Sequence, residues 1–85
     1  MFTVETIAIG TEILNGQVLD TNTHWVCTRV RGMGGTVERA QVVGDSVAAI
    51  VEAVRFALRR EPDSILTFGG LGPTPDDLTL FAVAQ

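Results

Sequence analysis

Lysine is absent from this 85-residue chain, whose six arginines face ten carboxylates for a net charge of −4. Without a cluster of cations there is no basic face of the kind a phosphate backbone demands, so nucleic acid is excluded as a partner. A small anion is still admissible, because backbone dipoles and a metal ion can bind one locally. Cysteine is nearly absent too: Cys27 stands alone and cannot form an internal disulfide, which fits a reducing compartment. His24 precedes it by three residues, but with no other His or Cys the pair is too few for a zinc site. No apolar run approaches the roughly 20 residues needed to cross a bilayer. The N-terminus shows no positive segment followed by an apolar stretch and a cleavage site. The expectation is a cytoplasmic protein with neither a membrane nor a nucleic-acid partner.

What is there is apolar substance: 46% hydrophobic residues and a mean hydropathy of +0.31, ample for the core of one small domain. Val4 to Ile9 reads as a buried strand that Gly10 ends. Residues 10–20 read as a loop. A helix starts near Asp20–Asn22, where capping side chains gather, shows Val26, Cys27, Val30 and Met33 on its apolar face, and stops at Gly34-Gly35. Thr36 to Val43 is a strand of mixed polarity, which suits a sheet edge. Gly44-Asp45-Ser46 then caps a helix whose stripe is Val47, Ile50, Val51, Val54 and Leu58, with Arg59 and Arg60 in its last turn. Pro62-Asp63 breaks that helix, and Ser64 to Phe68 forms a third strand. Thr74-Pro75-Asp76-Asp77 reads as a further helix start, with Leu78, Phe81 and Ala82 opening its stripe.

Alternating strands and helices predict an α/β fold of three α/β/α layers with a mainly parallel sheet. In such sheets ligands bind outside the carboxyl ends of the strands. The loops leaving the strands would therefore bring Glu12, Asp45 and Asp76/Asp77 to one rim. Gly69-Gly70-Leu71-Gly72 is the densest motif there. It is not a dinucleotide fingerprint, because Pro75 stands where the third glycine belongs, and no lysine exists to make it a Walker loop. Between a buried strand and a helix start, glycines let backbone N–H groups approach an anion. Each acid also has a plainer reading. Asp77 completes a capping box with Thr74, Asp45 caps a helix, and Glu12 is a solvated loop acid. Asp20 and Asn22 are capping candidates as well, and Trp25 reads as packing.

Gly10-Thr11-Glu12-Ile13-Leu14, Gly16-Gln17 and Asp20-Thr21-Asn22, then Val43-Gly44-Asp45, then Thr67 to Thr79, resemble the spaced motifs of the molybdopterin-binding-like domain of CinA-type proteins. The resemblance spans nearly the whole chain. In the related cofactor-synthesis branch the turn reads G-G-T-G and an arginine precedes the acid, so Leu71 and Pro75-Asp76 favour the CinA branch. What it implies is a site in which Gly10, Thr11, Glu12, Gly69, Gly70, Leu71, Gly72 and Thr74 bind a pterin or nucleotide pyrophosphate. Asp77 and Asp45 would act on the substrate, and Asp77, Asp76 and Asp45 would handle a divalent metal such as Mg²⁺. The implied activity is hydrolysis of an ADP-ribose-like pyrophosphate. The alternative is molybdopterin binding, with or without adenylylation by Mg-ATP. The resemblance also implies a domain about twice this length, so residues 1–85 read as the N-terminal portion of one domain, incomplete at its C-terminus. An unfinished sheet with an open edge would favour a homo-oligomer.

Overall fold

A computed structural model describes residues 1–69. Three parallel strands, β1 (Thr3–Ile9), β2 (Thr36–Val43) and β3 (Ser64–Gly69), pair in the order β2-β1-β3. Between β1 and β2 lie a single helical turn, α1 (Thr11–Leu14), and the longer α2 (Thr21–Gly32). Helix α3 (Val47–Arg59) joins β2 to β3. The first crossover moves one way along the sheet and the second returns past β1, so right-handed connections put α2 and α3 on opposite faces. The packing agrees. Val4, Ala8 and Phe68 meet Val26 and Val30 of α2, whereas Ile7 and Ile65 meet Ala53 and Ala57 of α3. These are the three layers the chain predicts.

Period-2 alternation explains this division, since Val4 and Ala8 point to one face of β1 and Ile7 to the other. Phe68 and Ile7 are wholly buried, each worth about 1.5–3 kcal/mol relative to exposure. Strand β1 is covered on both faces, yet it carries Glu5 and Thr6 there. Glu5 is answered by Arg60, whose Nε and Nη2 donate to its two carboxylate oxygens at 2.8 and 2.7 Å. The carboxylate in turn raises the Arg60 pKa above its ordinary value, chiefly through those hydrogen bonds. Among the described residues Thr6 Oγ1 has no hydrogen-bond partner.

Helix α2 begins where Asp20 Oδ1 accepts from the Thr23 N–H at 2.9 Å. It ends in a Schellman arrangement: Gly34 takes φ +87°, its N–H donates to Arg31, and the Gly35 N–H donates to Val30. Strand β2 lies at the edge of the three, as its polarity suggests. One extra residue interrupts its register with β1, where Val37 faces Val4 but Arg39 faces Glu5.

The structure departs from the sequence reading in several places. Residues 11–14 are helical rather than loop, anchored by buried Ile13; one turn is too short to show a period. Met33 is exposed rather than part of the α2 core face. The contact face of α3 is Ala53 and Ala57 with Val54 of the predicted stripe packed beside them, while Val47, Val51 and Leu58 of that stripe are exposed. Small residues at the contact let a helix lie close to a sheet, and hydrophobicity alone does not select them. Arg60 neutralises Glu5 as well as standing near the end of a helix.

Candidate functional site

Ile9 is in register with Val43 on one side and with Gly69 on the other, so all three strands finish at one level. The Gly10 N–H extends the β1–β2 ladder by one step, donating to the Val43 carbonyl at 2.9 Å. Because β1 leads toward β2 while β3 lies on its far side, the crevice between β1 and β3 is the switch point of the sheet. Gly10, Thr11 and Glu12 leave β1 there, Gly69 ends β3, and Asp45 follows β2. The described residues therefore place these five predicted positions on one rim.

Thr11 and Asp45 hold each other reciprocally. The Thr11 N–H donates to Asp45 Oδ2 at 3.1 Å, and the Asp45 N–H donates to Thr11 Oγ1 at 3.0 Å. Asp45 does not cap α3, contrary to its plainer reading. Ser46 does, its Oγ accepting from the Ala49 N–H at 3.3 Å. The Asp45 carboxylate is thus held to the β1 exit and retains Oδ1 for other work.

Glu12 folds back over Gly10. A Cβ on Gly10 would lie 2.7 Å from Glu12 Oε1, so the carboxylate occupies the space a side chain there would fill. Two acids, one exposed and one half-buried, therefore sit on this rim in a chain of net charge −4. A phosphate would be repelled unless a cation stood between.

Asn22 joins the rim through a contact that sequence reasoning missed. Its Nδ2 donates to the Gly69 carbonyl at 3.1 Å, tying α2 to the last residue of β3. Asparagine near a helix start reads as a cap, and nothing local signals a partner 47 residues away. Gly70, Leu71, Gly72, Thr74, Asp76 and Asp77 lie outside the described residues. Among the described residues no three His, Cys, Asp or Glu side chains gather closely enough to share a metal ion, and no helix is long and apolar enough to cross a membrane. The Cys27 thiol is pushed up from its ordinary value, first by burial and then by the Asp20 charge, which makes it a poor nucleophile at neutral pH.

Comparison with known proteins identifies relatives of the chain. A family model described as a probable molybdopterin binding domain matches residues 5–85. The protein PH0439 of Pyrococcus horikoshii is 42% identical over 81 residues, covering 95% of this chain and 32% of that protein. A CinA-like protein of Citrifermentans bemidjiense is 44% identical over 82 residues, covering 96% of this chain and 20% of its own. Among solved structures, the protein CinA of Thermoplasma acidophilum, described as of unknown function, superposes with a TM-score of 0.75 at 37% identity. That match covers 88% of this chain and 44% of the other. The chain therefore spans between a fifth and a third of these two relatives.

Proposed function

The chain belongs to the family of probable molybdopterin binding domains, and from that premise we propose that its strand-end rim binds and hydrolyses a nucleotide pyrophosphate of the ADP-ribose type. The observation that carries the reading is the reciprocal Thr11–Asp45 pair at the switch point. It holds a carboxylate in place at the end of the sheet where α/β proteins bind ligands, and it spends only one carboxylate oxygen.

Oxygen donors of this kind suit a hard cation such as Mg²⁺, which needs one or two carboxylates and keeps its remaining waters. Asp45 supplies one in the described residues, and Asp76 and Asp77 are the remaining candidates. When bound, the ion would neutralise phosphate charge and acidify a coordinated water. The chain's own share is placement. Asp45 is held by Thr11, and glycines at 69, 70 and 72 would let backbone approach the phosphates without a side chain between. Water adds at one phosphorus, the bridging P–O bond breaks, and AMP and ribose 5-phosphate leave.

A second reading is a module that binds molybdopterin and does no chemistry. It is favoured by the family description. ADP-ribose turnover by the whole protein, with and without Mg²⁺, separates the two. Turnover that requires the ion is expected. Turnover without it overturns the mechanism. No turnover combined with molybdopterin binding favours the second reading, and tight Mg-ATP binding would point to adenylylation instead.

A further inference from the structure

We infer that Asn22 is a positioning residue for the rim: its buried amide sets where the last backbone unit of β3 stands, and with it the phosphate-binding side of the crevice. The inference rests on the reading of the rim as a pyrophosphate site. Three observations support it. Asn22 is 7% exposed, in the first turn of α2, where a polar side chain is buried only for a reason. That reason is not capping, because Asp20 already accepts from both the N–H and the Oγ of Thr23. Its Nδ2 donates instead to the Gly69 carbonyl at 3.1 Å, across 47 residues of sequence.

Gly69 is the step at which β3 is still in register with Ile9 and beyond which the glycine motif begins. A glycine there has no side chain to lock its position by packing. A hydrogen bond from a packed helix does that work. Asp20 and Asn22 divide the labour over three residues: Asp20 fixes the start of α2, and Asn22 fixes β3 to it. The Thr11–Asp45 pair does the equivalent for β1 and the β2 exit. The crevice thus has a polar tie on each side.

The variants that test this are Asn22→Asp, which sets a carboxylate against the carbonyl, and Asn22→Ala, which removes the donor without adding charge. In the whole protein, assayed with ADP-ribose and Mg²⁺ below the melting temperature of each variant, kcat is expected to fall about ten- to a hundredfold, as misplacement of a site by about 1 Å does. The Gly69 carbonyl ¹³C resonance is expected to move in both variants. A lowered melting temperature with unchanged kcat and an unchanged Gly69 resonance would overturn the inference and leave Asn22 a stabilising contact only. If the unaltered protein does not turn over ADP-ribose, the hydrolase reading fails, and molybdopterin binding then decides the positioning role: weaker binding by both variants supports it, and unchanged binding overturns it.

Discussion

At the end of the sheet where the strands begin, Asp63 and Glu5 each accept two hydrogen bonds. Asp63 accepts from the Thr3 N–H at 2.7 Å and from its Oγ1 at 3.3 Å, while its own N–H donates to that Oγ1 at 3.1 Å. Glu5, 2% exposed, is gripped by both arms of Arg60. At the end where the strands finish, Asp45 spends one oxygen on Thr11, and Glu12 has no hydrogen-bond partner for its carboxylate among the described residues. Both ends carry acids. The difference is the number of donors each acid accepts from: two for Asp63 and for Glu5, one for Asp45 and none for Glu12 among the described residues. Fixed pairs hold a fold together, whereas spare ligating capacity beside a crevice is what a binding site needs.

Four measurements would break or sharpen this contrast. The largest effect is expected for Arg60→Met, which strands the Glu5 carboxylate in the core. The urea midpoint should fall further than in any substitution below, and Glu5→Leu combined with Arg60→Met should recover much of the loss, since an apolar pair can replace a buried ion pair. No recovery would mean that the pair holds more than itself. Gly35→Ala belongs to the same end. Its Cβ would collide with the Phe2 ring and lie 2.9 Å from Val30 Cγ1, so a loss of about 1–3 kcal/mol is expected in denaturant unfolding. A neutral result would show that the Phe2 ring gives way freely.

Asp45→Asn tests the other end. Ser46 caps α3, and the amide oxygen of an asparagine can still accept from Thr11, so stability should change by less than about 0.5 kcal/mol. ADP-ribose binding in the presence of Mg²⁺ should weaken about tenfold or more as one charged hydrogen-bonding group is lost. A large stability loss with unaltered binding would erase the distinction between the two ends. The smallest effect concerns Cys27, which belongs to neither. Its pKa is raised above 9.0 in the folded protein, so the folded state favours the protonated thiol. Stability from this group is complete below 9.0 and is lost as pH rises through the folded value. Cys27→Ser should flatten that alkaline slope, which denaturant titrations at several pH values would measure.

Much of this was legible in the residues. β1 and β2 were readable from apolar and β-branched runs, and Gly34-Gly35 marked the end of α2, because each is a local signal. The gathering of Gly10, Thr11, Glu12, Asp45 and Gly69 on one rim was readable as well, since strand order and crossover handedness dictate it. Less readable were the roles of individual polar groups. Asp45 and Ser46 are adjacent and both cap helices well, and only the position of Thr11 assigns the cap to Ser46 and the rim to Asp45. Asn22 looked like one more cap for the same reason.

The sequence by itself determined the three strands and the two long helices, their alternation and hence the parallel three-layer fold, because propensity, capping and periodicity act over a few neighbours along the chain. Tertiary structure alone decided how many donors each of these acids meets. It joined Arg60 to Glu5 across 55 residues, Asp45 to Thr11 across 34 and Asn22 to Gly69 across 47. A hydrogen bond depends on separations of about 3 Å in space, and separation along the chain carries almost no information about it.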